Sequence, residues 1–271
     1  MKIVIPVLLA AVLAASPILC MAIPALPSGQ LPATLYVDAD YQPAAPTAAM
    51  YEQRAPLRHD AARQAWHWQL YFAQPPGKLH MDAWLLSADV ASPRYAYQRS
   101  VYFADGQPAL LEERNGEGDF DGVSVAYYAD GTVKSRKAYR DGEYAGWHRH
   151  YHANGQLSRA VLYQAGQPAD GEYLSFDEHG QVNNRAHFAD GVLEGQVEVF
   201  HANGRLAERG AYLGGQRHGL QQAWWPDGRE KSRVNFLQGN KDGLERSWAE
   251  DGTRSVCAWQ EGRLLRPCRH F

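Results

Sequence analysis

Gly146-Trp147-His148-Arg149-His150-Tyr151-His152-Ala153-Asn154-Gly155, closed by Tyr163 and Gly166, is one copy of a pattern that the chain repeats six times between Gly122 and Trp259. If the opening Gly is position 0, an aromatic stands at position 5, usually Asp or Asn at 8, and a second Gly at 9. A second aromatic follows at 17 and a third Gly at 20. The opening glycines are Gly122, Gly146, Gly171, Gly195, Gly219 and Gly243, spaced 24, 25, 24, 24 and 24 residues apart. The first aromatic row is Tyr127, Tyr151, Phe176, Phe200, Trp224 and Trp248. The second is Tyr139, Tyr163, Phe188, Tyr212, Phe236 and, one residue early, Trp259. A fixed period of this kind decides the architecture before any local propensity is weighed.

Each copy has two arms of about seven residues, rich in Val, Tyr, Phe and Trp, on either side of a short polar Gly turn. That is the pattern of a β-hairpin. A three-residue loop, made of a type I turn and a left-handed Gly, shifts the register by one residue relative to a two-residue turn. On that count both aromatic rows are expected on one face, joined by Val133, Leu157, Val182 and Leu206 at position 11. Pro226, directly before Asp227-Gly228, suits the first corner of the turn. The expected fold is therefore mainly all-β: an elongated antiparallel meander of tandem hairpins with aromatic ladders along it. Upstream the pattern decays. Tyr102-Phe103-Ala104-Asp105-Gly106 keeps the aromatic–Asp–Gly core, and Tyr71-Phe72 with Gly77 and Trp84 is a more degenerate copy.

The Gly-x4-Tyr-x2-Asn-Gly…Tyr-x2-Gly-x3-Gly pattern resembles the bacterial variant of the MORN repeat, and most of all the antitoxin-component YwqK family. The match is clearest from Gly122 to Gly262. Leu35 to Tyr41 and Ala49 to Tyr51 are similar, more weakly, to the lead-in of such arrays. The resemblance implies a hairpin-repeat fold and a protein-binding role. It supplies no catalytic residues to transfer.

The chain starts with Lys2 and an apolar run from Ile3 to Leu19, followed by a small-x-small site around Cys20-Met21-Ala22. This reads as an export signal over residues 1–22. Cys20 keeps lipidation open as an alternative, although Leu19 is unlike the small residue a lipidation site wants. The run is short for a membrane span and is interrupted by Pro6 and Pro17. No integral span is expected after cleavage, and the protein is expected in the periplasm or associated with the envelope. Residues 23–33 read as a Pro-rich linker. Residues 34–94 read as a degenerate N-terminal segment, with a short helix expected between Ala44 and Trp68, broken near Pro56. That segment is also expected to cap the array by packing over the first repeats. Residues 95–271 form the array itself.

A formal charge of −3 with no basic stripe disfavours nucleic acid as a partner. Beyond the signal two cysteines remain, Cys257 and Cys268, and a pair this close in an exported chain is expected to bridge.

Candidate binding residues are few. His148, His150 and His152 alternate along one arm, which places them on one expected outer face, opposite Trp147, Arg149 and Tyr151. Zinc or copper would need two of them and a ligand from the next strand. The equivalent residue there, Asp177, is one repeat and about 10 Å away, so no metal is expected. Tyr128, His152, His201 and Trp225 share position 6 and are expected outside as a contact row for a protein or a cell-wall glycan. Ser124, Ser158, Ser175, Ser232, Ser247 and Ser255 sit in slots that vary between copies, without a nucleophile elbow. No phosphate loop stands apart from the hairpin glycines. The expectation is a non-enzymatic scaffold without a cofactor. It would bind a partner protein as an antitoxin or immunity protein does, or else a glycan or the cell wall.

Overall fold

A computed structural model describes residues 34–42, 44–54, 57–90 and 92–271. The expected signal and linker lie outside the described residues. The chain divides into two compact units, one ending at Gly131 and the other running from Thr132 to Phe271. Every strand pairing in both is antiparallel, and no described residue is helical. Among the described residues no helix is therefore long and apolar enough to cross a membrane.

The first unit contains β1 (Thr34–Val37), β2 (Tyr51–Arg54), β3 (Arg58–Asp60), β4 (Ala65–Phe72), β5 (Leu79–Leu85), β6 (Tyr95–Tyr102), β7 (Pro108–Arg114) and β8 (Phe120–Tyr127). Among the described residues of the stretch Ala44 to Trp68 there is no helix; β2, β3 and the start of β4 lie there instead. The reason is period. In β4, Trp68 and Leu70 point inward and are fully buried, while His67, Gln69 and Tyr71 alternate with them on the other face. Trp68 and Leu70 pack with Val37, Tyr51, Met81, Ala83 and Leu85 into a closed core. The Trp68 indole N–H is satisfied inside it, donating to Gln53 Oε1 at 2.7 Å. The segment joins the array by strand pairing: β5 pairs with β6, with Met81 opposite Val101 and Asp82 opposite Ser100.

The second unit begins with β9 (Val133–Arg140), β10 (Glu143–Tyr144), β11 (Gly146–Tyr151), β12 (Leu157–Gln164), β13 (Gln167–Pro168), β14 (Gly171–Phe176) and β15 (Val182–Ala189). It continues with β16 (Val192–Leu193), β17 (Gly195–Phe200), β18 (Leu206–Leu213), β19 (Gln216–Trp224), β20 (Glu230–Leu237), β21 (Asn240–Trp248), β22 (Arg254–Gln260) and β23 (Arg263–His270). Few of its side chains are fully buried, because a single sheet layer shields each face only with its own neighbours.

The hairpin loops are the three-residue kind. In the copy that opens at Gly146, the Gly155 N–H reaches the His152 carbonyl at 2.9 Å, the His152 N–H reaches the Gln156 carbonyl at 2.9 Å, and Gly155 has a φ of 81°. The register holds a second irregularity that the sequence reading lacks. His150 pairs with Arg159 but Tyr151 pairs with Leu157, leaving position 12 as an extra residue. The same bulge recurs at Ser175/Phe176, Val199/Phe200 and Ala223/Trp224.

In these four copies the second shift cancels the first, so their two aromatics lie on opposite faces. Position 17 shares a face with positions 0 and 2, as the pairing of Tyr163 with Gly146 shows. Position 5 shares the other face with the arginines of position 14: the Arg185 guanidinium lies 5.9 Å from the Phe200 ring, and that of Arg233 lies 5.5 Å from Trp248. The last copy has no bulge, and Gly243 pairs directly with Trp259, which explains why Trp259 comes one residue early.

Two-residue turns join one hairpin to the next. Asp141-Gly142, Ala165-Gly166, Asp190-Gly191, Gly214-Gly215, Gln238-Gly239 and Glu261-Gly262 all have positive φ at both residues. This is the type I′ turn, whose twist matches the flanking strands. The bridge between Cys257 and Cys268 ties β23 to β22.

Candidate functional site

The face that carries position 17 is held together by a polar row. Position 2 of one repeat reaches back to the main-chain carbonyl of position 16 in the repeat before. His148 Nε2 donates to the Ala138 carbonyl at 2.7 Å, the Tyr173 hydroxyl to Leu162 at 3.0 Å, and Gln221 Nε2 to Ala211 at 2.8 Å. His148 is therefore not on a solvated outer face. It is 4% exposed, between Tyr139, Tyr144 and Tyr163, with ring centroids 4.4–5.6 Å away. Burial pushes its pKa down.

His150 shares that face and stands beside Arg159, whose Nη2 is 3.4 Å from its Nε2. Burial first, then the charges of Arg159, Lys137 and His148, bring its pKa down to about 4. His152 lies beyond the bulge, at the turn. The three histidines thus have three separate partners. Among the described residues no group of three or more His, Cys, Asp or Glu is placed to hold a metal ion.

Position 6, expected as an exposed contact row, acts as a tie between repeats. His152 Nε2 donates to the Phe176 carbonyl at 2.9 Å, His201 Nε2 to Trp224 at 2.9 Å, and Trp225 Nε1 to Trp248 at 3.2 Å. Each partner is position 5 of the next repeat. The Asn154 amide donates to the Glu178 carbonyl and the Asn203 amide to the Pro226 carbonyl, stacking turn on turn. Tyr128, His152, His201 and Trp225 are all half-buried.

The exposed apolar groups stand elsewhere. Trp147, Leu220 and Leu244 occupy position 1, and Leu213 and Leu237 occupy position 18. All five are 44–55% exposed. They lie on the face of positions 3 and 5, near the two-residue turns. Position 1 varies from Trp to Leu to Glu and Gln between copies, so a search for invariant positions passes over it. Tabulating what varies at a fixed position would have found the row.

The first unit has a polar and aromatic face of its own. His67 Nε2 lies 3.0 Å from Asp82 Oδ1, Gln69 Nε2 donates to Asp82 Oδ2 at 2.6 Å, and the Tyr71 hydroxyl donates to Gln69 Oε1 at 3.1 Å. His67 stacks on Trp84 at 4.7 Å. A shallow, open depression is lined by Arg94, Tyr95, Arg114, Glu117 and Asp119.

The comparisons with known proteins concern the repeat. A MORN repeat variant is found at residues 169–190. These residues hold the hairpin of β14 and β15 and the turn that leads to it. MORN repeats are generally non-catalytic, and the chain is built as a repeat scaffold in keeping with them. No curated protein matches the chain. Among solved structures, a chain of the "Crystal Structure of TcdB2-TccC3-Cdc42" aligns with 88% of this chain and 16% of its own length, at 12% identity and a TM-score of 0.15.

Proposed function

We propose that this protein is an exported, non-enzymatic scaffold that binds a partner protein in the bacterial envelope, in the manner of an antitoxin or immunity protein. The observation that carries the reading is the row of exposed Leu213, Leu220, Leu237 and Leu244 on one sheet face. Large apolar groups grouped on an exposed surface are the usual mark of an interaction site. The repeat sets them at fixed spacing on a frame tied at positions 2 and 6, so little order is lost on binding. The apolar N-terminal run and the Cys257–Cys268 bridge support export, since such bridges persist in oxidising compartments.

The test is affinity capture from an envelope extract with the exported chain as bait. One protein retained in stoichiometric amount, and lost with a Leu220→Ser/Leu244→Ser variant, is the expected result. Co-expression with that protein then tests immunity. Capture unaffected by the variant, or no protein captured, removes the reading.

A second reading, a structural or glycan-binding envelope component, rests on the linked Tyr71, Gln69, Asp82, His67 and Trp84 in the first unit. Stacked rings beside planar hydrogen-bonding groups suit a sugar chain. It predicts retention on peptidoglycan that Trp84→Ala abolishes.

A further inference from the structure

Arg136 on β9 and Arg149 on β11 are directly opposite each other in the ladder. Opposed residues share a face, with Cα atoms about 4.5–5.5 Å apart. Like charges in that arrangement repel and destabilise the sheet. By alternation along β9, Arg140 lies on the same face, and Arg136 and Arg140 are both exposed. Trp147 stands there too, 46% exposed, with the Arg149 guanidinium 5.2 Å from its ring centroid. Among the described residues neither Arg136 nor Arg140 has an ion-pair partner. Glu143 is opposite Arg140 in register, but its carboxylate lies near Gly166.

Later repeats treat the same positions differently. Arg185 and Arg209 share the Glu198 carboxylate, at 3.0 and 2.9 Å, and Arg185 also meets Glu172 at 3.2 Å. The other opposed pair, Arg233 and Arg246, has Glu230 3.6 Å from Arg233. Among the described residues only the first pair keeps its repulsion without a carboxylate to relieve it, and only there does an exposed Trp stand alongside.

We propose that the β9–β11 face around Arg136, Arg149 and Trp147 is a docking site for an acidic segment of a partner protein. This rests on the scaffold reading above and names the chemistry of its partner. Two guanidinium groups side by side match carboxylates by paired N–H donors. Residues two apart on β9 are about 7 Å apart, the spacing of alternate side chains in an extended peptide. Arg and Trp are the residues that most often dominate binding energy at protein interfaces. The cationic strip is followed on the β12 side by the neutral residues Ala160, Leu162 and Gln164. That width suits a short segment better than a membrane surface or a nucleic acid tract.

The test uses the full chain and a fluorescein-labelled (Glu-Ser)5 peptide, followed by anisotropy at low and physiological salt. Saturable, salt-sensitive binding is expected, weakened at least tenfold in Arg136→Ser/Arg149→Ser and changed less than twofold in Arg185→Ser. The double variant is also expected to melt no lower than the parent, since it relieves a repulsion. The proposal is overturned if the double variant binds the peptide as the parent does, or if a (Lys-Ser)5 peptide binds equally well. It is also overturned if the parent binds neither peptide, or prefers phosphatidylglycerol vesicles or duplex DNA. The titration needs no natural partner, so its failure is distinguishable from failed capture in the extract.

Discussion

Trp225 donates its indole N–H to the main-chain carbonyl of Trp248, one repeat further along, at 3.2 Å. His201 makes the equivalent bond to Trp224 and His152 to Phe176. Position 6 therefore belongs to the joint between hairpins. A net contribution of about 1 kcal/mol is expected from each such bond. Trp225→Ala also loses the ring beneath Lys231, 4.4 Å away. It should lower the urea midpoint at an unchanged slope while leaving partner capture intact. Loss of capture without loss of stability would return Trp225 to a contact role.

The array should weaken in mild acid. Folded His150 titrates at about 4, whereas in the unfolded chain it titrates near 6.5. Between those values the unfolded chain holds more protons, so stability rises with pH. His148 is shifted in the same direction, chiefly by burial. Stability is expected to be full above about pH 6.5 and to fall as the pH drops toward 4. Urea midpoints across that range check this, and His150→Gln should flatten the dependence.

Gln238 has a φ of 49° in a two-residue turn where another copy has Gly214 at 57°. A left-handed L-residue costs roughly 1–2 kcal/mol, offset in part by the greater entropy a Gly loses on folding. Gln238→Gly should therefore stabilise by about 0.5 kcal/mol, read as a higher thermal midpoint. A lower midpoint would mean that the Gln238 side chain contributes packing.

In the first unit, Leu70→Ala removes a fully buried side chain and should cost about 2–5 kcal/mol. Trp68→Phe leaves Gln53 Oε1 buried without its donor, at a cost of about 1–3 kcal/mol. Equivalent losses are not expected from Tyr163→Ala in the second unit, where Tyr163 is only half-buried. Chemical denaturation of the three variants decides.

Reduction of the Cys257–Cys268 bridge frees β23 from β22. Closing a loop with a separation of 11 residues contributes about 3 kcal/mol in the chain-entropy account. Faster amide exchange across Arg263–His270 after reduction, with β11 to β15 unaffected, is the expected outcome.

Much of this was legible because Gly and aromatic residues carry positional meaning. The Asn154-Gly155 turn, the hairpin arms and the cysteine pair could each be read from residue type and spacing. Residues 34–94 could not, because the period decays there to the one degenerate copy around Tyr71 and Gly77. Their order comes from Trp68, Leu70, Met81 and Leu85 meeting across strands, which no local pattern announces. The candidate surface was legible only in part. Tyr128, His152, His201 and Trp225 form a row in the sequence, but three of them tie hairpin to hairpin, whereas exposed Trp147 and Leu220 sit in a slot whose residue type changes from copy to copy.

By itself the sequence determined the period, the hairpin, the loop with its left-handed Gly and the all-β class, since each follows from the turn chemistry of Gly and the alternation of short strands. The tertiary structure decided which face each row occupies. The bulge at position 12 is built from ordinary residues, Ser158 in the copy of Gly146, and leaves no mark of composition. One extra residue reverses the facing of everything beyond it. That reversal separates the two aromatic rows and brings Tyr163 onto the face of His148.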